Sequence, residues 1–325
     1  MKKETVKRVL IFLILTFIIT YIIEFLIILP FANATNQVEV MMVTTFSVVS
    51  MMIPALSVVL TRIITREGFA DHKITVSFKG GKARYYLIAW FLPAVLVFLG
   101  AIIYFVICKD QFDWNMSYYV KQLSDMGNDV SVEAIRTTII SQTITGVILG
   151  PVLNAIPCFG EEWGWRGYLL PKLSELMPIN LAIILDGIIW GLWHLPLIIG
   201  GKNYGFDYPG YPYAGILMMI VFCVFIGIVF SYLSMKSNSC IPAVLGHGAM
   251  NAVASIGIVF TANGGKTLFG PSITGIISMI PTIITAVILL ALLRRDKSCL
   301  TVLNCDTISE VNLPGDDKGG QDKES

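Results

Sequence analysis

Hydrophobic positions in this chain are gathered into long runs, most of them free of Asp, Glu, Lys and Arg. Eight runs are long enough to cross ~30 Å of hydrocarbon as helix at ~1.5 Å per residue. They fall near Val9–Pro30, Met41–Thr61, Tyr85–Cys108, Thr138–Gly160, Ile179–Ile199, Tyr213–Met235, Cys240–Thr261 and Pro271–Leu293. The pattern predicts an all-α, polytopic membrane protein with about eight transmembrane helices. Glu24 and Asp186 are the exceptions inside the runs. Glu24 stands alone in the first run and is expected near the outer interface. The first run follows a basic start, Met1 to Arg8, and has no small-residue cleavage site, so it reads as a span and not as a signal peptide.

Composition agrees. Of 325 residues, 55% are hydrophobic and 14% charged, with a mean hydropathy of +0.74. A soluble domain cannot hide that much apolar surface. A disordered chain, a disulfide-stapled secreted domain and a nucleic-acid binder are excluded, and a net charge of +1 implies no acidic partner. None of the six cysteines forms a C-x-x-C pair, so neither a disulfide framework nor a Cys-based zinc site is read.

Loop charges set the expected orientation. Lys2, Lys3, Lys7 and Arg8, then Arg62, Arg66, Lys73, Lys79, Lys82 and Arg84, then Arg294 and Arg295, belong on the cytoplasmic side. The loop with Asp110, Asp113, Asp125, Asp129 and Glu133 belongs on the other. Both termini are then cytoplasmic, in the plasma membrane if the host is prokaryotic. Residues 1–137 read as accessory helices and loops, 138–261 as the core, 262–293 as the last helix and 294–325 as a disordered cytoplasmic tail. No internal repeat is evident, which argues against an inverted-repeat transporter.

Polar groups at bilayer depth cost a few kcal/mol on insertion scales and need a partner or a job. Three clusters qualify: Gly160-Glu161-Glu162-Trp163-Gly164-Trp165-Arg166, then Trp190-Gly191-Leu192-Trp193-His194, then His247-Gly248-Ala249-Met250-Asn251. Glu162 and Arg166 are i,i+4 and can neutralise each other, so they read first as a structural ion pair. Glu161 points about 100° away. His247 and Asn251 share a helix face. A membrane histidine taken singly is explained by interhelical hydrogen bonding, but Glu161, His194, His247 and Asn251 would need four separate explanations. Asp186 is too far along its helix to bond His194 directly and reads as a helix-packing contact. His72, in a charged loop, reads as solvated.

A buried carboxylate with a nearby imidazole can take a proton from water, and an imidazole with a carboxamide can stabilise an oxyanion. Together these hydrolyse an acyl or peptide bond. The same residues, Glu161, His194 and His247, equally allow a metal site holding a divalent ion such as zinc. The residue types do not separate the two.

Glu161-Glu162-x-x-x-Arg166, Trp190-x-x-x-His194 and His247-x-x-x-Asn251, in that order, resemble the CPBP family of type II CAAX prenyl endopeptidases and bacteriocin-processing, Abi-like relatives. The likeness covers about Thr138 to Thr261. Trp190 stands where that family usually has Phe, and both pack as large aromatics. The resemblance implies that Glu161 acts as general base assisted by His194, that His247 and Asn251 form the oxyanion hole, and that Glu162 and Arg166 hold the first motif in shape. The implied function is an intramembrane endopeptidase acting on a membrane-associated or lipidated peptide, with the lipid bilayer and no nucleic acid as partners. The competing reading is a non-catalytic immunity or binding protein, or a transporter using buried Glu and His as a relay.

Overall fold

The first hydrophobic run is one continuous helical rod in the computed structural model of the protein, which describes residues 2–295 other than 35, 126, 128 and 129. Helix α1 (Lys2–Ile23) passes through a π-helical turn, Glu24–Ile28, and a short 3-10 turn ending at Phe31. Its buried positions Thr5, Val9, Phe12, Thr16, Thr20, Glu24 and Ile28 recur every three or four residues. Val6, Leu10, Ile14, Ile18 and Ile22 are exposed. The outward face is therefore wholly aliphatic at these positions, while the polar residues Thr5, Thr16, Thr20 and Glu24 turn inward beside Val9, Phe12 and Ile28, as suits a helix whose solvent is lipid.

The second run is broken at Met51-Met52 into α2 (Gln37–Ser50) and α3 (Ile53–Ile64). Then come α4 (Ala83–Ile107), the short α5 (Ser117–Asp125) and α6 (Val132–Leu153). The chain turns at Asn154 into α7 (Ala155–Gly164), a π-helical turn Trp165–Leu169 and α8 (Leu170–Leu176). Helix α9 (Ile179–Trp193) stops at His194 and is followed by α10 (Leu195–Ile199). The rest is α11 (Tyr213–Ser237), α12 (Ile241–Val253), α13 (Ile256–Val259) and α14 (Ile280–Arg295). The described residues form no strand beyond an isolated bridge between Phe112 and Thr261.

Five of these helical segments are long and apolar enough to cross a membrane, and a sixth is added if α6 and the segment after it, bent by 53°, count as one span. The remaining two runs give α9, of 15 residues, and α14, of 16. At ~1.5 Å per residue each is shorter than a ~30 Å core. Run length overstates both: α9 ends early because His194 closes it, and α14 begins at Ile280 because Pro271 to Met279 are spent in turns. Of the tail read at 294–325, Arg294 and Arg295 close α14 and 296–325 lie outside the described residues.

Glycines set the closest approaches. A methyl group at Gly187 of α9 would stand 2.7 Å from the Val224 Cα of α11, and one at Gly191 would overlap Ile220. Helix α12 packs on α4, α6 and α7, while α1 packs on α3. At one end a polar cluster ties α1, the segment after α3, and α8 together. Thr5 Oγ1 donates to Glu175 at 2.6 Å, and Glu67 receives Lys172 Nζ at 2.7 Å and the Tyr168 hydroxyl at 2.9 Å.

Candidate active site

Glu161 and Glu162 lie in the last turn of α7 and are closed off from solvent, at 2% and 0% exposure. Gly160 and Gly164 bracket the pair, one turn apart. A methyl group at Gly160 would overlap the Met51 carbonyl, and one at Gly164 would overlap Pro54. The two glycines are what let α3 lie directly against the carboxylate-bearing helix.

Successive helical residues diverge by about 100°, and the two carboxylates meet different partners. Glu162 Oε1 accepts from His247 Nδ1 at 2.9 Å and from Arg166 Nη1 at 3.1 Å. The Arg166 guanidinium also stands 3.6 Å from Asp186 Oδ2 and lies over the Trp190 ring, 4.2 Å from its centroid. Asp186 is therefore a packing contact, as its spacing suggests, with Arg166 as its partner. Each of these charges is fully buried, so breaking the set would leave an uncompensated charge.

Glu161 Oε2 accepts from the Trp190 indole Nε1 at 2.7 Å. His194 follows α9 directly, and its Nδ1 lies 2.9 Å from the Trp190 carbonyl. A carbonyl can only accept, so Nδ1 carries the hydrogen and Nε2 keeps a lone pair. The Trp190 ring centroid is 5.8 Å from that of His194 and 5.4 Å from that of His247. All three motifs thus meet at Trp190. Treating it as a plain packer equivalent to Phe overlooks the indole N–H, which holds the very carboxylate assigned to chemistry.

A cavity of about 90 Å³ opens beside this cluster, lined by Trp190, His194, Cys223, His247, Met250 and Asn251 among others. That is space for a few waters, each needing ~30 Å³ in the liquid. Asn251 is exposed, with its Nδ2 3.8 Å from the Cys158 sulfur. Glu161 is not on this cavity wall; it stands one hydrogen bond behind it, through Trp190. His72 lies away from the cavity, where its carbonyl accepts from Trp163 Nε1 at 2.8 Å.

Glu161, His194 and His247 do not converge as metal ligands. Among the described residues no three His, Cys, Asp or Glu side chains come together closely enough to hold an ion. Nδ1 of each imidazole and one oxygen of Glu161 have partners of their own, and these bonds leave Nε2 of both rings and the other Glu161 oxygen unengaged.

Sequence reasoning misses three neighbours of the site: the Trp190 indole as donor, Cys158 beside Asn251, and Cys223, whose sulfur is 3.9 Å from His194 Nδ1. The sole advance signal is the presence of cysteines within apolar runs.

Residues 140–253 match the family model described as type II CAAX prenyl endopeptidase Rce1-like. Over this segment, about a third of the chain, the sequence is similar to the CPBP family. A curated relative, the CAAX prenyl protease 2 of Methanococcus maripaludis, is 33% identical over 92 residues. That alignment covers 28% of this chain and 34% of the relative, so the match spans about a third of the relative's length. The matched segment contains Glu161, Glu162, Arg166, His194, His247 and Asn251. Helices α1 to α5 lie outside it, yet α3 supplies the surface against which α7 is seated.

Proposed function

We propose that the protein is an intramembrane endopeptidase that hydrolyses a peptide bond in a hydrophobic or lipidated, membrane-associated peptide through a water activated by Glu161 and His194. The observation that carries this reading is the meeting of the three motifs at Trp190, with Glu161, His194 and His247 all in contact with that one indole. The match of residues 140–253 to a family model described as type II CAAX prenyl endopeptidase Rce1-like supports the same class of substrate.

Each atom then has a task. With Oε2 held by the indole, Glu161 uses Oε1 to take a proton from water, and the lone pair on His194 Nε2 orients that water. The oxygen adds to the scissile carbonyl. His247 Nδ1 donates to Glu162, so His247 can donate to the oxyanion from Nε2 only as the imidazolium, whose charge the Glu162 carboxylate balances. The Asn251 carboxamide, one helical turn on, is the second donor. Collapse breaks the C–N bond, and the departing nitrogen takes the proton from Glu161. Arg166 and Asp186 keep Glu162 in place. We place activation on Glu161 and His194, with no zinc, and the termini on the cytoplasmic side, where the basic cluster around α1, α8 and the end of α11 would face.

The test is cleavage of a quenched-fluorescent farnesyl-cysteine CAAX peptide, beside an unprenylated hydrophobic peptide, by the full-length protein in lipid nanodiscs. Glu161→Gln is expected to lower the rate by about 10²–10⁴-fold, the usual contribution of a positioned acid or base. Chelators are expected to leave the rate unchanged, and inhibition by them would restore the metal reading. Equal cleavage by wild type and Glu161→Gln would favour the binding or transport alternative.

A further inference from the structure

The break after α9 leaves two backbone carbonyls beside the site without their helical partners. A helical carbonyl accepts the N–H four residues on. For Leu192 that residue is Pro196, which has no N–H to give. For Trp190 it is His194, whose N–H turns instead to the Gly191 carbonyl at 3.2 Å. The His194 ring takes the Trp190 carbonyl through Nδ1. The Leu192 carbonyl is met from outside, by the Tyr21 hydroxyl of α1 at 2.7 Å.

Trp193, the residue between Leu192 and His194, is held by the same helix. Its Nε1 donates to Thr20 Oγ1 at 2.8 Å, and both residues are buried. The Trp193 ring stands edge-on to the His194 imidazole, with centroids 4.9 Å apart and planes at 83°. Tyr21 is fixed in turn by Phe17 and Phe25, one turn before and after it, at 5.4 and 5.7 Å between ring centroids. The π turn that follows α1 packs against α10, which begins directly after His194. Helix α1 lies wholly outside the matched segment 140–253.

An imidazole serves a water only if the correct nitrogen is bare and aimed at it. A helix break in a lipid-embedded bundle loses that aim easily, because a carbonyl left without a donor draws the chain toward another arrangement. We propose that Thr20 and Tyr21 are positioning residues of the site: by clamping Trp193 and Leu192 they hold the break in which His194 keeps its hydrogen on Nδ1 and its lone pair on Nε2. Neither side chain lines the cavity, so each acts through the segment it holds. No bond is made or broken in this role. The kinetic consequence rests on the endopeptidase reading; the fixed tautomer does not.

Two arms test it on the full-length protein in nanodiscs. The chain has three histidines, so ¹⁵N-histidine labelling gives a simple solid-state NMR spectrum, with His194 assigned by its loss in His194→Gln. Wild type should show His194 with Nδ1 protonated and Nε2 bare, and Tyr21→Phe and Thr20→Val should broaden that signal or mix in the other tautomer. An unchanged His194 signal in the doubly substituted Thr20→Val, Tyr21→Phe protein overturns the proposal. In the farnesyl-peptide assay, run well below the unfolding midpoints, each single variant should lose about tenfold in kcat at unchanged KM, whereas Thr20→Ser, which keeps the acceptor, should stay within about threefold of wild type. Wild-type kcat in both Tyr21→Phe and Thr20→Val overturns it too, and so does a Thr20→Ser rate as low as that of Thr20→Val, which would assign the loss to packing. Thermal unfolding of each variant separates lost positioning from lost folding. Should wild type cleave neither peptide, the endopeptidase reading fails while the NMR arm still decides the clamp.

Discussion

Trp190 joins Glu161 to both imidazoles, and its indole N–H is the group that distinguishes it from a packing aromatic. Trp190→Phe keeps most of the ring volume and removes the 2.7 Å bond to Glu161. Hydrogen bonds to charged groups are worth about 1.5–3 kcal/mol, which corresponds to roughly 10- to 10²-fold in rate if the bond positions the carboxylate in the transition state. The expected result is a fall in kcat of that size with little change in the thermal unfolding midpoint. An unaltered kcat would show that the indole does not position Glu161. At this scale the Glu162–Arg166 pair is readable from i,i+4 spacing alone. The Glu162–His247 bond is not: its partners are 85 positions apart, and nothing local relates α7 to α12. Asp186 is readable as a polar contact in an apolar helix, but its partner becomes evident only where the π turn carries Arg166 over the Trp190 ring.

At the scale of elements, the glycines around the carboxylate pair act through distance. Gly160→Ala puts a methyl group into the Met51 carbonyl, so α3 must retreat or α7 must turn. Overpacking of this kind costs about 1–3 kcal/mol. The variant is expected to unfold at lower temperature and to lose cleavage together with stability, since a turn of α7 re-aims Glu161. Normal cleavage at a lowered midpoint would separate the packing from the chemistry. Hydrophobic runs locate the helices well and their breaks poorly. The breaks at Met51-Met52, Asn154 and His194 all fall beside the site. A run of apolar residues is compatible with an unbroken helix, and only the need to turn polar groups into a shared interior interrupts it. For the same reason run length predicts eight full spans, whereas α9 and α14 are short.

Across the whole molecule, Glu67 ties three elements together by receiving Lys172, Tyr168 and, at 3.7 Å, Arg8. Partial burial pushes its carboxyl up, but the bonds from Lys172 and Tyr168 and the charge of Arg62 outweigh this and hold it below the usual carboxylate range. A lowered folded value means that the ionised form stabilises the fold. That contribution is complete above the ordinary Glu value of 4.5 and is lost as pH falls through the lowered one. The unfolding midpoint should therefore drop with pH below about 4.5 in wild type and less steeply in Glu67→Gln, when both are followed in nanodiscs. Parallel curves would remove Glu67 from the acid response. What the amino-acid order determines without any coordinates is the solvent, the approximate place of each helix and the short roster of costly polar residues, because transfer into lipid acts on each segment independently of its neighbours. Which of those polar residues touch, that an indole holds Glu161, that His247 answers to Glu162 and that Glu24 turns into the protein were decided by tertiary structure alone. Such pairings depend on the register and rotation of helices joined by distant sequence, and a few ångströms of sliding would exchange every partner.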